Sequence, residues 1–155
     1  MSEIALSIRT SRPQQKPAFV YRHVVTFEET NFMGNVYFVR HVAWQGRCRE
    51  MFLREHAPSI LDDITRTLRL VTLSVSCAYY EELRAFDEIE VHMRLSQQQG
   101  HRLSLQFDYT KIRNGVAVHV ARGLQEIACM LSDHGKLIPT PVPRALIEAL
   151  QRYQP

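Results

Sequence analysis

Several features that mark other classes of protein are missing from this chain of 155 residues. No stretch approaches the roughly 20 apolar residues that a transmembrane helix needs, which argues against a membrane-spanning protein. Lysine and arginine are scattered, and the net charge is only +3. A nucleic-acid-binding surface is therefore not expected, although a modest preference for an acidic partner stays open. The sequence contains no repeats, Gly-Ser linkers or low-complexity segments, which favours a single domain with a real core.

Cysteine is also scarce. Cys48, Cys77 and Cys129 are odd in number and do not have the spacing of metal ligands, so no metal site is expected. Free, buried thiols in a reducing cytoplasm are the expected state. The alternative is a nucleophilic Cys48, but nothing near it in the sequence marks it as reactive.

The first 18 residues do not have the order of a signal peptide. A short apolar patch at residues 4–6 is followed by Arg9 and Arg12, whereas a signal peptide places its charges before the apolar run. We interpret residues 1–18 as a tail that is either frayed or added to a sheet as an edge strand.

The rest of the pattern predicts an α+β protein with several strands and one long helix. Alternation over residues 19–28 is typical of a half-buried strand, and helical spacing follows over about residues 36–55, enough to span roughly 30 Å. Residues 58–66 read as a short helix or turn. Four further strands are predicted at 71–79, 89–96, 103–109 and 116–131, with a two-residue hairpin at Asn114-Gly115 and a bulge at Gly123. We expect a main domain over 19–138 and a C-terminal helical extension over 139–155.

The long helix has two distinct stripes. One is apolar, with small residues that allow close approach: Val36, Val39, Ala43, Gly46 and Leu53. The other is mixed, with polar side chains between aromatic ones: Phe38, His41, Gln45, Arg49 and Phe52. Buried polar groups need partners, so we interpret the mixed stripe as the lining of a cleft; a solvated face with Arg49 on the surface is the alternative.

The loop over residues 28–38 joins the first strand to this helix and turns at Gly34. Backbone N–H groups in the first turn of a helix have no partner inside it, and the helix dipole favours negative charge there, so an oxyanion could be held at this junction. Asn31 is a candidate site residue, with a turn or cap residue as the alternative. His41 and Glu29 are candidate bases, although a solvated loop acid is the simpler interpretation of Glu29. His23 is expected to be a hydrogen-bonded ring in the first strand rather than a ligand.

The order of these elements resembles the hotdog fold, an antiparallel sheet wrapped around one long helix. Many thioesterases of the 4-hydroxybenzoyl-CoA type have an acid three residues before the glycine that precedes the helix; here that position is Asn31, before Gly34. The run from Asn31 to Phe38, followed by Trp44-Gln45-Gly46-Arg47-Cys48-Arg49-Glu50, is more similar to the small thioesterases associated with iterative enediyne polyketide synthases.

That resemblance implies hydrolysis of a polyketide from an acyl carrier protein, without a cofactor, by a homodimer or homotetramer. The product would be a free acid or, after decarboxylation, a methyl ketone or polyene. The N–H of Phe38 would face the thioester carbonyl, and Asn31 would orient the water or the carbonyl. Arg49 would supply a fixed positive charge, hold Asn31, or grip an oxygen of the product. His41 is the remaining catalytic candidate, and the expected substrate contacts are Gly34, Asn35, Tyr37 and Gln45.

Three other functions stay open. A general acyl-CoA thioesterase would share the fold and act on a soluble cofactor ester. A hotdog dehydratase would need an identifiable pair of histidine and acid, which the sequence does not show. A non-catalytic acyl-binding module is compatible with the missing acid at position 31, because a carboxamide is not a general base near neutral pH.

Overall fold

A computed structural model describes residues 16–155 of the chain. It contains six antiparallel strands, β1 (Phe19–Val24), β2 (Leu68–Tyr79), β3 (Glu88–Gln99), β4 (Arg102–Arg113), β5 (Val116–Asp133) and β6 (Lys136–Pro139). The helices are α1 (Val39–His56), α2 (Pro58–Ile64) and α3 (Arg144–Gln151). The predicted tail lies mostly in residues 1–15, outside the described residues.

The sheet follows the order β1-β3-β4-β5-β2, and β6 pairs with the end of β5. Because side chains alternate along a strand, one face of β3 and β4 is buried and the other is not. The buried face packs on α1 through Trp44, Cys48 and Phe52, which are at most 1% exposed. A sheet curled over one long helix is the predicted hotdog fold, and this prediction is confirmed.

Local boundaries differ from the prediction where long-range contacts decide them. Strand β1 ends at Val24, and residues 27–29 form a 3₁₀ turn instead of more strand. Helix α1 begins at Val39, because the N–H of Val36 donates to the Leu83 carbonyl at 2.8 Å and so holds that segment extended. The hairpin at Asn114-Gly115 is confirmed, with both residues at positive φ.

One prediction about packing is wrong, and a second holds only in part. Gly123 pairs regularly with Phe107 and Cys77; the register shifts lie between Thr72 and Ser74 and between Tyr109 and Thr110. The apolar, small-residue stripe of α1 is buried at its two ends, Val36 and Leu53, but its middle is uncovered, since Val39 is 43% exposed and Ala43 is also exposed. The mixed stripe supplies much of the buried face, through His41, Gln45 and Phe52. Among residues 16–155, no helix is long and apolar enough to cross a membrane.

Candidate active site

The loop before α1 is a tight turn that Asn31 organises. Its side-chain oxygen accepts a hydrogen bond from the Met33 N–H at 2.9 Å, and its carbonyl accepts one from the Gly34 N–H at 2.9 Å. Gly34 has φ +86°, a conformation that favours glycine. Asn31 therefore does fill a turn role. Its Nδ2 group has no hydrogen bond within the described residues and remains available as a donor.

A cleft of about 250 Å³ opens at the start of α1. Phe38 is the residue before the first helical one, and its N–H has no acceptor within residues 16–155. The Phe38 carbonyl accepts a hydrogen bond from the Tyr79 hydroxyl at 2.6 Å, which ties the helix start to the end of β2. The residues lining this cleft are Asn35, Val36, Phe38, His41, Tyr79, Tyr80, Glu81, Glu82 and Leu83.

His41 is the buried polar group of this cleft. Its side chain is 3% exposed and is surrounded by the rings of Trp44, Tyr79 and Tyr109, with centroids 4.8–5.7 Å away. Neither ring nitrogen has a hydrogen-bond partner in the described part of the chain. Burial lowers the pKa of His41 to about 4, and the Phe38 carbonyl opposes this shift without cancelling it. His41 is therefore neutral at pH 7 and can accept or donate one hydrogen bond to a bound molecule.

The other predicted site residues divide between the cleft and the rest of the fold. Asn35 lines the cleft and donates to Glu82 at 3.1 Å, while its own side-chain oxygen is buried and unpaired among residues 16–155. Tyr37 is 45% exposed and its ring lies beside that of Phe38. Gln45 is fully buried and points to the sheet. The structure thus brings Asn35, Phe38 and His41 together in the cleft and leaves Gln45 and Arg49 further along the helix. The other predicted residues, Asn31, Gly34 and Tyr37, lie in the adjoining loop and do not line the cleft.

Arg49 belongs to a polar chain that joins α1 to the sheet. It donates to the Gln125 side chain at 3.1 Å and to Thr72 at 3.3 Å. Gln125 in turn donates to Gln45 at 3.1 Å, and Gln45 donates to the Ser76 carbonyl at 3.2 Å. Burial lowers the pKa of Arg49, but a guanidinium keeps its charge at neutral pH. Arg49 is thus a held, partly buried cation rather than a freely solvated one.

Along the helix axis Arg49 lies far from Phe38. Eleven residues separate them, which at 1.5 Å per residue is about 16 Å. An arginine at that distance cannot contact the carbonyl that the Phe38 N–H would bind. Within one protomer, Arg49 therefore does not stabilise the same oxyanion.

Glu29 is not a solvated loop acid; that interpretation is wrong. Its side chain is 2% exposed, and its carboxylate accepts hydrogen bonds from the Thr26 N–H at 2.9 Å and the Trp44 indole at 2.8 Å. His23 Nε2 lies 2.8 Å from each carboxylate oxygen, so His23 is a hydrogen-bonded ring, as predicted. Glu29 thereby fastens the loop that carries Asn31 to both β1 and α1.

This network predicts a pH-dependent stability. Burial alone would raise the pKa of Glu29, but the bonds from Thr26, His23 and Trp44 outweigh it and lower the pKa to about 2. Because the pKa of Glu29 is lower in the folded than in the unfolded protein, its charged form stabilises the fold at pH values above the unfolded pKa of 4.5. This contribution to the unfolding free energy, about 3 kcal/mol, is lost as the pH falls toward 2. Glu29→Gln should therefore have a lower unfolding free energy than the parent protein at pH 7, and the difference between the two free energies should be smaller at pH 3. Urea unfolding of both proteins at several pH values measures this difference in unfolding free energy.

Glu28→Gln is the matched control, because the neighbouring Glu28 is exposed and should show no such gap. Equal unfolding free energies for Glu29→Gln and the parent protein at pH 7 would contradict the role of the network.

The cysteines are protonated thiols without the surroundings that activate a nucleophile. Burial raises the pKa of Cys48, whose sulfur lies within 3.8 Å of the Val91 carbonyl, and the group stays protonated. Cys129 is also buried, whereas Cys77 is only half-buried, and all three are free. Among the described residues, no cluster of three or more histidine, cysteine or acidic side chains could hold a metal ion.

The fold is that of the thioesterase-like superfamily. The model of that superfamily matches residues 25–150, and the chain belongs to it. The dynemicin thioesterase, whose crystal structures revealed induced-fit and allosteric effects upon polyene binding, is 45% identical with a TM-score of 0.85, covering 89% of this chain and 98% of that one.

More distant proteins are also similar to this chain in sequence or in fold. A putative esterase of Aquifex aeolicus (strain VF5) is 28% identical over 133 residues, 86% of this chain and 98% of that protein. A mutant 4-hydroxybenzoyl-CoA thioesterase complexed with 4-hydroxybenzoyl-CoA has a TM-score of 0.74 at 14% identity, covering 86% of this chain and 98% of that one, and so shares the fold. Family and relatives together support thioester hydrolysis as the activity.

Part of the site was not predicted. Residues 79–83 form one wall of the cleft, and Gln125 holds Arg49, yet both lie far along the chain from the loop and helix start. A possible signal was Gly123: a glycine inside a strand often marks a close approach, and here the approaching group is Gln45.

Proposed function

We propose that this protein hydrolyses a polyketide chain from an acyl carrier protein in enediyne biosynthesis. The observation that carries the proposal is the 45% identity, over 89% of the chain, to the dynemicin thioesterase, an enediyne-associated enzyme studied with bound polyene. The substrate would be a β-keto acyl thioester, and the acid released would lose carbon dioxide with or without help from the protein. Free cysteines fit the cytoplasmic location expected for such an enzyme.

The cleft suggests how hydrolysis proceeds. Water adds to the thioester carbonyl carbon, the carbonyl oxygen becomes an oxyanion, and the Phe38 N–H stabilises it. Asn31 donates its free amide hydrogens to the carbonyl or holds the water, and neutral His41 accepts a hydrogen bond from that water. The attacking water gives up one proton to solvent as it adds, the C–S bond then breaks, and the departing thiolate takes up one proton, so that a carboxylic acid and a thiol result. A thiol is a fair acid, so positioning and oxyanion stabilisation lower most of the barrier.

We expect a carrier-bound polyketide to be hydrolysed faster than the same acyl group on CoA. An acidic carrier surface and a chain of net charge +3 attract each other, and the preference should shrink as salt rises, since screening acts over about 8 Å at physiological ionic strength. Measuring kcat/KM for one acyl group on both carriers, at two salt concentrations, tests this.

A CoA ester processed equally well would make the protein a general acyl-CoA thioesterase. Tight binding of the acyl group without release of thiol would make it an acyl-binding module.

We also propose that the active form is a dimer, or a dimer of dimers. Strand β2 is a sheet edge of 12 residues whose side chains Leu73 and Val75 are 44% and 40% exposed. A long, apolar, unpaired edge invites pairing with another chain. The small-residue stripe of α1 is likewise uncovered at Val39 and Ala43. Hotdog thioesterases typically oligomerise, which agrees with both features.

Ala43→Arg is expected to yield a folded monomer with little activity. Ala43 is exposed in the protomer and arginine is a good helix former, so the substitution should disturb only a partner packed on the stripe. Light scattering measures the molecular mass of the variant, and circular dichroism shows whether it is folded. Val116→Arg, at a 62% exposed position on the hairpin, is the control and should leave the mass unchanged. A fully active monomer would contradict the proposal.

A further inference from the structure

The face of the sheet that points away from α1 carries a second pocket, of about 290 Å³. Strand alternation places its side chains opposite the buried residues Val91, Met93 and Tyr109. Two arginines and two histidines surround a single carboxylate there. The polar side chains of this outer pocket are His92 and Arg94 on β3, Asp108 and Thr110 on β4, and His119 and Arg122 on β5.

Asp108 orients the cations without using all of their donors. It accepts from Arg122 Nε at 2.7 Å and from Arg94 Nη1 at 3.4 Å, and lies 3.1 Å from His119 Nε2. Burial would raise the pKa of Asp108, but the bonds from Arg122 and Gln106 outweigh it and lower the pKa, so the carboxylate is charged. Only Nε of Arg122 is used within the described residues, so its two terminal NH₂ groups are free on a side chain that is 47% exposed.

The outer pocket has more donors than acceptors. Arg94 Nε and the Thr110 hydroxyl are buried and have no partner in the part of the chain that the structure describes. Glu90, an acid beside the pocket that lies 2.9 Å from His92, already pairs with Arg22 at 3.2 Å. Two guanidinium groups therefore face one carboxylate, and the excess of positive charge and free donors suits an anion with several acceptor oxygens.

Tyr80 connects this pocket to the cleft. It lines the cleft at the start of α1, and its ring centroid lies 5.1 Å from that of His119 in the outer pocket. The Tyr80 N–H donates to the Val120 carbonyl at 2.8 Å, which fixes Tyr80 against β5. An arm that carries a thioester into the cleft would pass Tyr80 and could leave its anionic end on the outer face.

We propose that the outer pocket binds the phosphate group of the substrate's pantetheine arm, with Arg122 and Thr110 as donors. This rests on the proposed function. The phosphate has the same chemistry whether it is a diester on a carrier protein or part of CoA. The outer pocket recognises the phosphate that all these thioesters carry, and not the acyl chain. It therefore affects the affinity for the substrate and not the rate of the chemical step.

The test compares one acyl group on pantetheine and on 4′-phosphopantetheine, which differ only in the phosphate. The protein should show a KM about tenfold lower for the phosphorylated thioester, as expected for a charge-assisted contact, with equal kcat. Arg122→Gln and Thr110→Val should each reduce this preference and leave the pantetheine thioester unaffected. Arg102→Gln is the control, because Arg102 is an equally exposed arginine paired with an acid, Glu126, at 3.4 Å.

Each outcome decides the proposal. Equal KM values for the two thioesters, or an Arg122→Gln protein that is slow on both, would overturn it. If neither thioester is hydrolysed, the proposed function fails, and calorimetric titration with 4′-phosphopantetheine and with inorganic phosphate still tests the pocket: binding that Arg122→Gln abolishes supports it, and no binding refutes it. If the thioesters are hydrolysed, acyl-CoA and acyl-carrier substrates distinguish the two sources of the phosphate, because Arg122→Gln should raise the KM of the substrate whose phosphate the pocket binds.

Discussion

Two inactive variants, Asn31→Ala and Arg49→Ala, are expected to recover activity when their subunits are exchanged into mixed dimers. Each substitution alone should lower kcat by about 10²–10³, the usual cost of one oxyanion-type contact. Recovery is expected because the two residues would serve one cleft from different chains. A mixed dimer then contains one cleft with both residues intact and one with neither.

The length of α1 supports this arrangement. Phe38 and Arg49 are about 16 Å apart along the axis, too far to act on one carbonyl within a protomer. Their midpoint falls next to Ala43, on the exposed small-residue stripe. A twofold axis at that point would pair the two helices antiparallel and bring Arg49 of the partner subunit level with Phe38.

Random exchange of equal amounts should restore about one quarter of the parent activity, since half of the dimers are mixed and half of their clefts are complete. Differently tagged chains allow the mixed dimer to be purified and assayed. Exchange of Asn31→Ala with the double variant Asn31→Ala/Arg49→Ala is the control and should restore nothing. Mixed dimers that form but stay inactive would show that Arg49 serves the cleft of its own chain.

Gly123→Ala is expected to cost about 2–3 kcal/mol of unfolding free energy and to lower turnover. A methyl group there would overlap the Gln45 amide nitrogen and lie 2.8 Å from Gln45 Cδ and 3.2 Å from the Ser76 carbonyl. Gln45 is fully buried, and a shift of its amide away from the methyl group would break its bonds to Ser76 and Gln125. Because Gln125 holds Arg49, the damage should reach the proposed catalytic machinery.

A double-mutant cycle with Gln45→Ala tests the cause. Removing the long side chain should relieve the overlap, so Gly123→Ala should cost much less in the Gln45→Ala background than in the parent protein. Chemical denaturation provides the four free energies. Additive costs would mean that backbone conformation, and not the approach of Gln45, requires glycine at this position.

The sheet could be predicted because its pattern is local. Strands β3 and β4 alternate strictly, and Asn114-Gly115 has the composition of its turn. The helix start was placed three residues early because Leu83, which holds Val36 in an extended bridge, is remote in sequence.

The facing of α1 and the role of Glu29 could not be predicted for a related reason. The mixed stripe was interpreted as the lining of a cleft, but only the rings and amides of β2, β4 and β5 reveal that His41 and Gln45 are buried against the sheet. An acid in a polar loop is usually solvated, and the indole that binds Glu29 lies 15 residues further on. The Phe38 N–H was recognisable as a candidate donor from the resemblance; residues 79–83 opposite it were not recognisable as part of the site.

Trp44 gives the protein an optical reporter. It is the single tryptophan of the chain, it is fully buried, and its indole N–H is bonded to Glu29. All tryptophan emission therefore comes from one point, where the loop of Asn31 meets the helix. Its wavelength and quenching respond to the indole's surroundings, so they should report loosening of that loop, or rearrangement around His41 when an acyl chain enters, without any added dye.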